Sequence, residues 1–133
     1  MPLFPPTLPF ILHTLIEIPA SINFFLNPSS QLRRPAQEAK PIIRQYATLL
    51  FASSLISLVF CFRGVDDTSR NVAGALAVYH AAPFSRAGWR ILCGEPLFGW
   101  LEGKALGGPG VHFLVHGVCF GVLSRLYLQS TLP

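Results

Sequence analysis

Charge is what this sequence has least of. Only 12% of its 133 residues are Asp, Glu, Lys or Arg, about half the roughly 25% usual in soluble globular proteins. Water is therefore not expected to be its main solvent. Cysteine is scarce too: Cys61, Cys93 and Cys119 are odd in number and sit in separate apolar contexts. With neither CxxC nor Cys/His zinc spacing, they speak against a disulfide framework or a zinc module and are read as free thiols. No basic face with interleaved aromatics occurs in a polar segment, so the net charge of +4 does not argue for nucleic acid. A GxSxG elbow is missing, which removes the commonest serine-nucleophile signature. In the stretch GKALGGPG, Lys104 precedes the glycines and no GK[ST] follows, so this is not a phosphate-binding loop. There is no repeat of solenoid period and no low-complexity tract.

What is present is apolar surface, delivered in blocks. Half of the chain is hydrophobic, with eleven phenylalanines, and the blocks approach the roughly 20 residues needed to cross a bilayer. The first, residues 6–27, is opened by prolines tolerated in a first helical turn and closed by Asn27-Pro28, where a helix should stop. Without a basic start, and with four prolines among its first nine residues and Glu17 inside, the N terminus does not read as a secretory leader. Pro19 predicts a kink just after Glu17. The second block, residues 41–62, would be about 33 Å long at helical rise. The third, residues 69–92, is the weakest, because its apolar core ends at Pro83 and is followed by Arg86 and Arg90. It is expected to span only if its neighbours shelter that end. The fourth, residues 109–129, contains Gly117-x-x-x-Gly121, a small-residue face that lets another helix approach.

These blocks predict an all-α, polytopic membrane protein: a four-helix transmembrane bundle forming one domain over residues 1–133. Loop charge then sets its orientation. The connections 28–41 and 86–108, with the adjoining helix ends, hold Arg33, Arg34, Lys40, Arg44, Arg86, Arg90 and Lys104, whereas the opposite side holds Arg63, Arg70 and Arg125. By the positive-inside rule the first set is expected in the cytosol, with both termini in the lumen or outside. The endoplasmic reticulum or another endomembrane is the expected location.

The chemistry-bearing residues lie inside the apolar blocks. Glu17 is about 16 Å into the first helix, near the expected bilayer midplane. A charged side chain at a helix centre costs about 2.5–3.5 kcal/mol on insertion scales, so Glu17 is expected to face the bundle, protonated or paired. His13 is one turn back on the same face. His112 and His116 repeat that spacing in the fourth helix, with Cys119 extending the stripe, and the third contributes Tyr79 and His80. Ser53 and Ser57 of the second helix share a face, while Arg44 and Tyr46 sit nearer its cytosolic mouth. All four helices are expected to converge on one polar pocket.

Three readings of these groups compete. In the first, a carboxyl kept in its acid form and a neutral histidine perform acid/base chemistry on a lipophilic substrate, as in isomerisation or cyclisation. There Glu17, His13, His80 and His116 are the catalytic candidates, and Tyr79, His112, Arg44 and Tyr46 would bind substrate. The second has histidines ligating haem or a metal through His80 and His116, but HExxH and a third clustered ligand are missing, so no cofactor is expected. The third makes the groups interhelical hydrogen-bonding devices, typically under about 1–2 kcal/mol each. Arg86 and Arg90 read as interfacial anchors.

Taken together, HTLIEIPASINFFLNP, RQYATLLFASSL, YHAAPFSRAGWRI and GGPGVHFLVHG resemble a family of small four-helix membrane proteins found mainly in fungi, some of which accompany secondary-metabolite pathways. The resemblance implies a role in tailoring a lipophilic natural product. His13-x-x-x-Glu17 is also similar to the His/Glu pairing of the sterol isomerase branch of the emopamil-binding and sigma-2-receptor superfamily, although the second and fourth blocks here carry no carboxylate. The leading expectation is an acid/base isomerase or cyclase acting on a natural product or sterol-like compound. A non-catalytic protein that binds a lipid or assists a partner enzyme comes second, and a transporter third. Expected partners are the bilayer, a lipophilic small molecule, and either a second copy or a pathway enzyme.

Overall fold

The computed structural model describes residues 5–32, 36–99 and 107–129. Arg33, Arg34 and Lys104, which entered the loop-charge count, lie outside the described residues. The protein is all-α, with four long helices and no strand among the described residues: α1 (Leu8–Leu26), α2 (Ala39–Cys61), α3 (Asp67–Leu92) and α4 (Pro109–Leu128), with a 3-10 turn at Pro28–Gln31 after α1. Of these, α1, α2 and α4 are long and apolar enough to cross a membrane.

Local chemistry explains where each helix begins and ends. α1 stops at Leu26, just ahead of Asn27-Pro28, since the proline disfavours helical geometry in the residue before it. α2 starts two residues ahead of Pro41. That proline occupies the first turn, where the N–H it lacks would have had no helical acceptor. α3 starts at Asp67 because Asp66 caps it: Ser69 N–H donates to Asp66 Oδ1 at 2.7 Å, and Asp66 N–H donates to Ser69 Oγ at 2.8 Å. This reciprocal pair is a capping box with aspartate first and serine third.

Pro83 does not end α3, which runs for 26 residues through it. A proline inside a helix removes one hydrogen bond, here to the Tyr79 carbonyl, and membrane helices tolerate that loss when neighbours absorb it. At the start of α4, Gly108 adopts φ +85° and a Cβ there would lie 2.5 Å from the Gly99 nitrogen, so only glycine fits. Gly110 N–H then donates to the Leu97 carbonyl at 2.8 Å, tying the loop to the new helix.

The chain divides into two compact units, Phe10–Gly64 and Val65–Pro133 with Met1–Pro9. In the first, α1 and α2 run antiparallel. Phe10 stacks on Phe60 with centroids 5.3 Å apart, and the Ser57 hydroxyl donates to the Phe10 carbonyl at 3.0 Å. At the other end Arg44 Nε donates to the Phe25 carbonyl at 3.2 Å. In the second unit, α3 and α4 are antiparallel and packed by aromatic rings set against glycines. A Cβ on Gly117 would meet the Phe84 ring at 3.0 Å, one on Gly74 the Tyr127 ring at 2.8 Å, and one on Gly88 the Phe113 ring at 3.2 Å. Phe84 in turn stacks on Phe113 at 4.3 Å. Among the described residues the expected small-residue face on α4 is therefore half used, because none of their atoms lies within 4 Å of the Gly121 Cβ position.

The distribution of polarity is that of a protein in lipid. The buried stripe of α1 is Phe10, His13, Thr14, Glu17 and Ser21, four of the five polar, while Leu15, Ile22, Phe25 and Leu26 of the same helix are exposed. Leu49, Phe62, Val78 and Leu114 are exposed on the other three helices or beside them. In water such surface would drive association. In hydrocarbon it is the favourable side, and the polar groups are the ones that need shelter.

Candidate functional site

The first cluster belongs to α1 and α2. Glu17 sits at the centre of the 19-residue α1 and is 1% exposed, with His13 fully buried one turn earlier. The Ser53 oxygen of α2 lies 3.5 Å from His13 Nε2, at the outer limit of a hydrogen bond. Because the Ser53 hydroxyl already donates to the Leu50 carbonyl at 2.8 Å, its oxygen faces His13 as an acceptor. That contact suits the His13 tautomer with hydrogen on Nε2. Below it, Thr14 Oγ1 and Cys61 Sγ are 3.8 Å apart, and Ser54 Oγ donates to Leu50 O at 3.0 Å.

The two serines that sequence spacing put on one face thus have different jobs. Ser57 reaches across to α1 and fastens the helices, whereas Ser53 satisfies its own helix and turns its lone pair to His13. Spacing could not separate them, since both are one turn apart on the same stripe.

The second cluster belongs to α3 and α4. His80 Nδ1 and His116 Nδ1 are 2.8 Å apart, and the rings are 0% and 7% exposed. Two ring nitrogens can share one hydrogen only if one ring donates and the other accepts. The Nε2 atoms of the neutral pair are consequently opposite in kind, a lone pair on the donating ring and an N–H on the accepting one. Tyr79 stands edge-on to both imidazoles, 5.0 Å from His80 and 6.5 Å from His116. His112 lies one turn before His116, its ring 6.1 Å away and nearly parallel. Its Nδ1 is 2.7 Å from the Gly108 carbonyl, which can only accept, so the hydrogen is on Nδ1 and Nε2 carries the lone pair.

Arg44 and Tyr46 lie apart from His13 and Ser53. Arg44 is nine residues from Ser53 along α2, about 13 Å by helical rise, at the end of the helix pair nearer the Pro28–Gln31 turn. Its guanidinium carbon is 6.0 Å from the Phe25 ring centre, within cation–π range. Tyr46 is exposed and stacks on Phe24 at 6.1 Å. Arg90 is occupied by Glu95, whose Oε2 accepts from Nε at 3.0 Å and from an Nη at 2.8 Å.

Sequence reasoning missed Thr14 and Ser21, which complete the polar stripe of α1 at helical spacing from Glu17 and were readable from that period. It also missed an apolar cavity of about 330 Å³ lined by Ser21, Ile22, Phe25, Leu26, Ala47, Thr48 and Phe51, which no local signal announces. No family model, curated protein or solved structure matches the chain.

Proposed function

We propose that this is an integral-membrane acid/base enzyme, an isomerase or cyclase acting on a lipophilic natural product or sterol-like compound. The observation that carries the reading is the burial of His13 and Glu17 one turn apart, at the centre of an apolar helix. Insertion scales put a buried ionisable group at that depth at a cost of a few kcal/mol, and acid/base chemistry is a use that repays it. Glu17 in its acid form donates a proton to one carbon of a substrate double bond, leaving the other carbon cationic, and neutral His13 removes a proton from the carbon on the far side of that cation, so the double bond moves by one position. His13 then returns its proton to the Glu17 carboxylate. Nothing is oxidised, no water is consumed and no cofactor is required. In this reading His80, His112 and His116 hold or relay protons, and Tyr79 offers a hydroxyl to substrate.

A second reading, a non-catalytic protein that binds a lipid or assists a partner enzyme, is favoured by one contact. His80 and His116 satisfy each other across two helices, which is also what a packing device does.

Metabolite profiling of the native host carrying wild-type protein or Glu17→Gln, with membrane abundance matched by immunoblot, separates the two. Accumulation of a precursor at equal abundance supports the enzyme and identifies its substrate. Unchanged metabolites at equal abundance refute it.

A further inference from the structure

The apolar cavity between the C-terminal half of α1 and the N-terminal half of α2 has no part in the proton chemistry above. Its volume of about 330 Å³ is at the small end of ligand pockets, roughly 300–1,000 Å³. Two hydroxyl side chains line it, but both spend their hydrogens on their own helices. Ser21 Oγ donates to the Ile18 carbonyl at 2.8 Å and Thr48 Oγ1 to the Arg44 carbonyl at 3.0 Å. What remains toward the groove is aliphatic and aromatic: Ile22, Phe25, Leu26, Ala47 and Phe51. Such walls reject a polar ligand, which would leave its own groups unsatisfied, and accept an alkyl chain.

A cation stands at the rim of this groove. Arg44 is one turn before Thr48 on α2, and its guanidinium is held beside Phe25, which itself lines the cavity, by the Nε bond to the Phe25 carbonyl and the contact with the ring. That bond uses Nε alone. The Nη nitrogens make no hydrogen bond or ion pair among the described residues, and Arg44 is exposed. A guanidinium anchored through Nε on an exposed residue keeps its terminal N–H donors for a phosphate, which such a fork matches.

We propose that the groove holds one acyl chain of a phosphate-headed membrane lipid, with Arg44 binding the phosphate at its rim. The position suits such a ligand. The charged end is beside the turn joining two spanning helices, where headgroups lie, and the apolar end runs toward the middle of both helices, where acyl chains lie. The proposal is independent of the acid/base reading, because no groove residue is among those assigned to proton transfer.

Native mass spectrometry of the full-length chain released from detergent tests it, with three probes: dioleoyl phosphatidic acid, dioleoylglycerol, which has the chains but no phosphate, and inorganic phosphate. The wild-type protein is expected to retain phosphatidic acid well above the other two. Arg44→Gln should weaken phosphatidic acid about tenfold or more, the loss of a charged hydrogen-bonding partner, and leave dioleoylglycerol unchanged. Thr48→Phe, at an exposed wall position, should fill the groove and weaken both lipids. Equal retention of phosphatidic acid and dioleoylglycerol by wild type would overturn the headgroup assignment. So would binding of inorganic phosphate as strong as that of the lipid, and indifference to both substitutions would remove the site altogether.

Discussion

Replacing His80 and His116 singly and together with leucine tests whether their contact couples α3 to α4. The 2.8 Å separation is at the short end of the hydrogen-bond range, and both rings are buried, so water does not compete for the shared hydrogen. Removing one ring strands a buried nitrogen on the other, which costs about 1–3 kcal/mol. Removing both takes away donor and acceptor together. The double variant is therefore expected to be more stable than the sum of the singles by about 1 kcal/mol, inside the range of about 0.6–1.7 kcal/mol found for interhelical pairs in membranes. Unfolding free energies measured in bicelles for the four proteins give the coupling directly. Additivity within about 0.3–0.5 kcal/mol would mean the histidines do not share a hydrogen, and the tautomer argument built on it would fall.

The two glycines of α4 should respond in opposite directions to the same change. Gly117→Ala drives a methyl to 3.0 Å from a Phe84 ring already stacked on Phe113 and should cost about 1–3 kcal/mol of overpacking, whereas Gly121→Ala meets no atom of the described residues within 4 Å and should gain up to about 1 kcal/mol of helix propensity; equal shifts in melting temperature would contradict the packing described. Asp66→Ala removes half of the capping box and should destabilise α3 by about 1 kcal/mol, visible as faster amide exchange over residues 67–70. Ser57→Ala should cost about 0.6–1.7 kcal/mol because its hydroxyl crosses to Phe10, and Ser54→Ala should cost less, since Ser54 bonds within α2. Denaturant titration of both variants checks that order.

Four helices were legible in the sequence because their signals are local. Apolar length, Asn27-Pro28, the proline opening α4 and the glycines before it act within a few residues, and the structure differs from the expected ends by no more than about two residues, the usual uncertainty of a helix end. At Asp66 the missing signal was legible in kind. A capping box was there to be found, written with aspartate at the cap and serine three residues later.

The candidate site was legible as a list of polar residues at helical spacing, and not as a set of contacts. The i, i+4 period put His13 with Glu17 and His112 with His116, because neighbours on one helix meet by the geometry of the helix itself. Nothing in that period told Ser57, which donates across to the Phe10 carbonyl of α1, from Ser53, which donates within α2 and faces His13 as an acceptor. The small-residue face was read from spacing as well, yet among the described residues only Gly117 of its two glycines receives a ring from the neighbouring helix.

By itself, then, the sequence determined the number and extent of the helices, their all-α class, and the inversion of polarity that suits lipid. Those follow from backbone hydrogen bonding and transfer free energy, which act residue by residue. The tertiary structure alone decided that His80 meets His116, that Phe84 seats on Gly117, and that an apolar groove opens beside Arg44. Each depends on the rotation and register of one helix against its partner, and those are set by the combined fit of many side chains.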